Sequence, residues 1–134
     1  MPHLVILYTA NLDRDTDISV LCRTLADTML AQRDEAGKPV FPTGGIRVLA
    51  YPAAHSAVAD GKGDYGFVYL NLRMTAGRSE VVRQQMGGVL TAATGAHFAD
   101  LLARGPLGIT LQIDEGAEVY NGKHSSLHPL FNKV

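Results

Sequence analysis

Apolar residues in the first part of the chain form one continuous run and then a helical repeat. Residues 4–8 are uninterrupted apolar positions that include the β-branched Val5 and Ile6, which predicts a strand buried on both faces. After a polar turn, apolar side chains recur at helical spacing, at Ile18, Leu21, Cys22, Leu25 and Met29. This spacing predicts a helix over residues 16–33, with the polar turn supplying its N-terminal cap.

A loop separates this helix from a second strand. Residues 34–45 contain three glycines and two prolines, which interrupt any regular spacing of apolar residues. Residues 46–51 then resume a strand-like apolar run, and Pro52 ends it. The first half of the chain is therefore predicted to run strand, helix, strand.

The second half of the chain repeats this order. Residues 65–74 predict a third strand, and the alternation over residues 107–113 predicts a fourth. Between them, helical spacing extends from Val82 to Leu102 and ends at Gly105. Glycines inside this helix weaken it by about 1 kcal/mol each relative to alanine. They are Gly87, Gly88 and Gly95.

These elements predict an α/β (α+β) fold built from two tandem β-α-β units, residues 2–52 and 64–114. We expect one domain over residues 1–134, with a single four-stranded sheet, both helices on one face and a C-terminal tail at 115–134. Two helices cover only one face of an apolar sheet, so the other face needs a second subunit. The alternative is a monomer whose tail and loops cover that face.

Composition and charge limit the kinds of molecule that the protein is expected to bind. Twelve lysines and arginines against thirteen acidic residues give a net charge of -1, so no positive field exists to hold a nucleic acid or a membrane surface. Cys22 is the only cysteine and therefore cannot form an intramolecular disulfide. No stretch resembles a signal peptide or a membrane span. We expect a cytoplasmic protein that binds neither nucleic acid nor membrane.

The sequence lacks a P-loop, a serine nucleophile elbow and a dinucleotide-binding glycine motif. The unusual feature is Pro2, which directly follows the initiator methionine and directly precedes an apolar strand. Removal of Met1 would expose a secondary amine, and an apolar pocket with cations lowers the pKa of such a group. A neutral amine can move a proton between two carbons. The alternative is a proline that only begins a strand.

Four segments share their order and spacing with a known family. They are residues 2–5 (PHLV), 41–47 (FPTGGIR), 59–68 (ADGKGDYGFV) and 76–79 (AGRS), the last followed by RQQ at 83–85. Together they resemble the 5-carboxymethyl-2-hydroxymuconate isomerase family of the tautomerase superfamily. The resemblance implies a cofactor-independent isomerase with two tandem β-α-β units, assembled as a homotrimer around a central axis.

The resemblance also implies roles for individual residues. Pro2 would be the catalytic base, and Arg78 a catalytic residue that binds and polarises a substrate carboxylate. Arg47 would bind the anionic substrate from the start of the second strand, and its alternative is a solvated strand-end charge. Arg73 matches no motif, and Arg14 lies where the sequence departs from the family, so the resemblance gives neither a role.

We expect no metal and no cofactor. Among the five histidines only His124 and His128 have a loose ligand spacing, and no third ligand lies beside them. His97 lies on the apolar stripe of the second helix, which favours a core or interface role.

The leading hypothesis is an isomerase of aromatic-compound catabolism. It would move a proton between carbons of an unsaturated hydroxy or oxo polycarboxylic acid of the 5-carboxymethyl-2-hydroxymuconate type. One alternative is a tautomerase for another small 2-oxo or 2-hydroxy acid, of the oxalocrotonate or phenylpyruvate type. The other is a non-catalytic trimer that binds a small anion, if Met1 is retained.

Overall fold

The chain folds into a four-stranded sheet with two long helices in a computed structural model, which describes residues 2–131. The elements are β1 (His3–Thr9), α1 (Leu12–Asp15), α2 (Ile18–Leu30), β2 (Arg47–Ala53), β3 (Gly66–Thr75), α3 (Glu80–His97), α4 (Ala99–Arg104) and β4 (Leu107–Gly116). Two single 3₁₀ turns span Thr43–Gly45 and His128–Leu130, and we name the second the C-terminal turn. No helix among residues 2–131 is both long enough and apolar enough to cross a bilayer.

The strands lie in the order β2-β1-β3-β4. β1 pairs with β2 in parallel and β3 pairs with β4 in parallel, whereas the central pair β1 and β3 is antiparallel. Each half of the chain is thus one β-α-β unit, and the two units meet at the centre of the sheet. The predicted fold class is confirmed.

The core lies between one face of the sheet and the helices α2 and α3. Alternate residues of the two central strands point into it, because side chains along a strand alternate between faces. The fully buried side chains include Leu4 and Ile6 from β1, Leu70 and Leu72 from β3, Leu21, Leu25 and Met29 from α2, and Met86 and Leu90 from α3. Both helices therefore pack on the same face, as predicted.

The opposite face of the sheet, which we name the open face, carries apolar side chains that remain exposed. Leu7 is 47% exposed, and its neighbours in register are Tyr51 on β2 and Tyr69 on β3. Leu49 and Phe67 lie on the same face and are 46% and 37% exposed. The described loops and tail leave this face uncovered, contrary to the monomer alternative.

The helices differ from the predicted ones at their ends. α2 begins at Ile18 because Asp17 caps it, its Oδ1 accepting from the backbone N–H groups of Ser19 and Val20. These hydrogen bonds, with one from the Ser19 hydroxyl, hold the pKa of Asp17 below its usual range. The single helix predicted to end at Gly105 is two helices, because the fully buried Phe98 leaves helical geometry between α3 and α4.

Pro52 was predicted to end the second strand, and this boundary is wrong. Pro52 lies inside β2, in register with Tyr8. β2 is an edge strand, where a residue without an N–H group can face outward and leave no ladder hydrogen bond unmade.

Candidate active site

Pro2 is buried at the start of β1, one of the two central strands. Its ring packs against the Thr43–Gly45 turn, where a Cβ added to Gly45 would lie 3.6 Å from Cδ of Pro2. The same added Cβ would lie 3.6 Å from Cε1 of His128 in the C-terminal turn. Pro2 thus lies against the Thr43–Gly45 turn, and the C-terminal turn packs on the same glycine.

Two arginines lie on either side of the residue that follows Pro2. His3 pairs in register with Arg47 on β2 and with Arg73 on β3. Nη1 of Arg47 donates to the carbonyl oxygens of Gly44 and of Ile46, the latter at 3.1 Å. Three of the five guanidinium donors of Arg47 remain for another ligand.

Arg78 lies in the turn between β3 and α3. Gly77 adopts a φ of 120°, a conformation that side chains with a Cβ rarely adopt, and Ser79 caps α3 by accepting from the N–H of Val82. This turn directs the guanidinium of Arg78 away from the helix, toward the loop that precedes β2.

Three contacts hold the half-buried guanidinium of Arg78. Nη1 donates to the carbonyl oxygen of Thr75 at 2.9 Å, and Nη2 donates to that of Val40 at 3.2 Å. The carbon Cζ lies 5.0 Å from the ring centroid of Phe41, a cation–π distance. Three donors are left, so Arg78 is a fixed cation that can still bind a carboxylate.

The contacts that place Arg78 include two residues that sequence reasoning missed. Nη1 of Arg83 donates to the carbonyl oxygen of Arg78 at 3.2 Å and to Oε1 of Glu115 at 3.0 Å. Arg83 thereby ties the turn that carries Arg78 to the end of β4. The available signal was that Arg83 lies within the segment RQQ that follows AGRS, but spacing alone does not reveal the partner on β4.

The segment predicted only as a loop contains a small hairpin over residues 32–41. Arg33 and Pro39 form an antiparallel bridge, and Nε2 of Gln85 on α3 donates to Oε1 of Gln32 at 2.9 Å. The hydroxyl of Ser79 donates to Oε1 of Glu35 at 2.9 Å. The hairpin is thereby attached to the start of α3, which brings Val40 and Phe41 to Arg78.

The C-terminal turn packs on Gly44 and Gly45. A Cβ at Gly44 would lie 3.1 Å from Cα of His128 and 3.2 Å from Cδ2 of Phe131, so a larger residue would push the C-terminal turn back by a few tenths of an ångström. The apolar residues Leu127 and Leu130, beside and within this turn, are 46% and 60% exposed in the single chain.

A cleft of about 380 Å³ opens at the end of the sheet where β3 and β4 terminate. His3, Arg73, Thr75, Gly116 and Glu118 are among the residues that line it. Its volume lies within the range of small-molecule sites. Thr75 also accepts from Arg78, so the cleft adjoins the guanidinium that the resemblance singled out.

A cleft of about 790 Å³ lies at the other end of β1, with Tyr8 and Cys22 in its lining. Burial and the hydrogen bond to Asp13 raise the pKa of Tyr8 to about 12, and burial raises the pKa of Cys22. Both groups are therefore protonated at neutral pH, which makes them poor bases.

The histidine on α3 belongs to the packing of the fold. Nε2 of His97 and Oγ1 of Thr16 lie 2.9 Å apart, and its ring meets that of Phe98 edge to face. Burial lowers the pKa of His97, although the charge of Asp17 opposes this shift. Within residues 2–131, no three histidine, cysteine or acidic side chains come together as a metal site.

Comparison with known proteins gives one consistent result. The chain matches the sequence model of the 5-carboxymethyl-2-hydroxymuconate isomerase family over residues 2–131. It is 31% identical, over 131 residues, to the 5-carboxymethyl-2-hydroxymuconate Delta-isomerase of Escherichia coli. The aligned residues cover 98% of this chain and 99% of that protein.

Two solved structures are similar over almost their whole length. The crystal structure of a 5-carboxymethyl-2-hydroxymuconate delta-isomerase is 56% identical with a TM-score of 0.95, covering 100% of this chain and 95% of that one. The crystal structure of a 5-carboxymethyl-2-hydroxymuconate isomerase from Deinococcus radiodurans R1 is 36% identical with a TM-score of 0.86, covering 98% and 95%.

Proposed function

Because the chain belongs to the 5-carboxymethyl-2-hydroxymuconate isomerase family, we propose that it isomerises an unsaturated hydroxy or oxo polycarboxylic acid of that type. Family membership confirms the predicted enzyme class, an isomerase. A role in aromatic-compound catabolism is part of the proposal. The observation that carries the proposed mechanism is the buried Pro2 at the start of β1, with arginines on both neighbouring strands.

Pro2 acts as the base in this proposal once Met1 has been removed, because its nitrogen is otherwise part of a peptide bond. An α-amino group has a pKa of about 7.7 to 8.0 in water. Burial and the positive charge of Arg47, which contacts the turn beside Pro2, both disfavour the protonated amine, so its pKa is lowered toward neutrality. A substantial fraction of the enzyme then carries a neutral base at neutral pH.

Arg78 and Arg47 bind the substrate anion in this proposal. The guanidinium of Arg78 is fixed by Thr75, Val40 and Phe41, so little conformational freedom is lost when a carboxylate binds. Arg47 has three donors left after its contacts with Gly44 and Ile46. Charge-assisted hydrogen bonds from both arginines stabilise the negative charge that develops on the substrate.

The proposed reaction is an internal proton transfer. The neutral amine of Pro2 accepts a proton from one carbon of the substrate and becomes an ammonium group. The electron pair left behind is delocalised over the conjugated system and its oxygen atoms, beside the guanidinium groups. The ammonium returns a proton to another carbon of the same chain of double bonds. The product is an isomer of the substrate, and no electrons are exchanged with another molecule.

We also propose that the enzyme is a homotrimer. The open face presents Leu7, Leu49, Tyr51 and Phe67, each between 37% and 50% exposed in the single chain. An apolar patch of this kind on a folded protein marks an interaction surface. Association of copies through the open face would bury these side chains at the centre of the assembly.

The test compares three proteins in an assay that follows loss of the dienol ultraviolet absorbance. The first is the processed enzyme, in which an intact-mass measurement verifies that Met1 has been removed. The second carries one extra residue before Pro2, and the third is Pro2→Ala. We expect kcat/KM of the processed enzyme to rise with pH through the pKa of the amine. The extended variant should lose nearly all activity, and Pro2→Ala should retain part of it because it has a primary amine.

Circular dichroism tests whether each variant is folded, since each change lies directly before β1. Equal rates for the processed and extended proteins would exclude Pro2 as the base. Absence of isomerisation by the processed enzyme would refute the proposed function itself.

A further inference from the structure

Building on the proposed function, we infer that Arg73 is a specificity-determining residue that binds the third carboxylate of the substrate. A muconate is a dicarboxylate, and its carboxymethyl group adds another carboxylate. Arg78 and Arg47 account for two anionic groups. The sequence gives no motif around Arg73, so the inference rests on where the fold places it.

Arg73 lies next to the proposed reaction centre. It pairs in register with His3, the residue directly after Pro2, and thus mirrors Arg47 on the other side of β1. Side chains in register share one face of a sheet. Arg73 also lines the cleft of about 380 Å³ together with His3 and with Thr75, whose carbonyl oxygen accepts from Arg78.

The guanidinium of Arg73 has no hydrogen bond and no ion pair within the described range 2–131, unlike those of Arg47, Arg78 and Arg83. Asp114 is its register neighbour on β4, but Oδ2 of Asp114 accepts from Nδ2 of Asn71 at 2.8 Å. All five donors of Arg73 therefore remain available in the single chain. Arg73 lies on the open face at the end of β3 that borders the cleft, six residues beyond Phe67, which the proposed trimer buries.

Space for this side chain is provided by the glycine that ends β4. A Cβ added to Gly116 would lie 2.9 Å from Nη2 of Arg73, closer than such atoms approach one another. The guanidinium thus lies over the backbone of β4 and forms part of the lining of the cleft. Glu118 also lines the cleft, and the positive charge of Arg73 offsets the repulsion between Glu118 and a carboxylate bound there.

The decisive experiment measures Arg73→Ala against two substrates that differ by one carboxylate. These are 5-carboxymethyl-2-hydroxymuconate and 2-hydroxymuconate, which lacks the carboxymethyl group. We expect kcat/KM for the tricarboxylate to fall about tenfold or more, and kcat/KM for the dicarboxylate to fall less than about threefold. Arg73→Lys, which keeps the charge, should restore part of the preference.

Arg104→Ala is the control, because it removes one exposed arginine from α4 at the opposite end of β3 and β4 from this cleft. It should change both substrates by the same small factor. An equal loss for both substrates in Arg73→Ala would show that Arg73 acts on the base or the fold, and would overturn the inference. No loss for either would overturn it as well.

A binding measurement separates this inference from the proposed function. Calorimetry with unreactive propane-1,2,3-tricarboxylate and with glutarate compares three carboxylates with two, whether or not the protein catalyses isomerisation. The parent protein should prefer the tricarboxylate, and Arg73→Ala should lose that preference. If the protein showed this preference but no isomerisation, the result would support the tricarboxylate site and refute the proposed reaction. An unchanged preference in Arg73→Ala would refute the site.

Discussion

Replacing Arg78 with alanine should lower activity far more than stability. The change removes two hydrogen bonds to main-chain oxygens and the contact with Phe41. At a half-exposed position these interactions together contribute about 2 kcal/mol to the free energy of unfolding. A domain of this size has about 5 to 15 kcal/mol, so nearly all of the variant stays folded.

The expected loss in catalysis is larger. Truncating one partner of a hydrogen-bonded charge pair costs about 2 to 5 kcal/mol, and each 1.4 kcal/mol is a factor of ten. Thus kcat/KM with a carboxylate substrate should fall by about 30-fold to several thousandfold. Steady-state kinetics of the isomerisation, run well below the melting temperature of the variant, measures this fall.

Arg33→Ala provides a closely matched control. Nη1 of Arg33 also donates to two main-chain carbonyl oxygens, those of Leu30 and Gln32, each at 3.1 Å. Both variants therefore lose similar backbone contacts, but only Arg78 has a proposed contact with substrate. A fall of less than tenfold in Arg78→Ala, or a fall equal to that of Arg33→Ala, would refute the proposed role of Arg78.

Two further predictions concern the fold and the assembly. Burial lowers the pKa of His97 in the folded chain, so the unfolded chain binds the proton more readily below about pH 6.5. The free energy of unfolding should therefore fall as pH drops from 7 to 5, and His97→Gln should flatten this slope in urea titrations; an unchanged slope contradicts the assignment. Leu7→Glu should convert the trimer to monomers in sedimentation equilibrium, whereas Val20→Glu on the outer face of α2 should not. A wild-type protein that stays monomeric at micromolar concentration would exclude the trimer.

Local sequence patterns were sufficient to predict the order of strands and helices. The helical spacing from Ile18 to Met29 reflects burial of one face of α2. The run over residues 4–8 predicts a strand buried on both faces, and this is wrong for the single chain, because Leu7 lies on the open face and is 47% exposed. Element ends depended on tertiary context. Pro52 is tolerated because β2 lies at an edge. α3 runs through Gly87 because its buried residues Met86 and Leu90 pack in the core.

The candidate site could be predicted only where a motif marks it. Pro2, Arg47 and Arg78 lie in segments that resemble a family, so their positions were available from the chain alone. Arg73 and Glu115 have no local signal, because their placement depends on the pairing of β1, β3 and β4. The hairpin over residues 32–41 was missed because glycine and proline indicate a turn without showing what packs on it.

The contact of the C-terminal turn with Gly44 and Gly45 joins two segments that are far apart in the sequence. His128 lies after all four strands, so on the ribosome it emerges after the residues that form the sheet. The sheet and its helices can form before that moment, but the packing of the C-terminal turn on the two glycines cannot. The turn beside Pro2 therefore gains this packing after the sheet is complete, and a chain terminated before His128 would lack it.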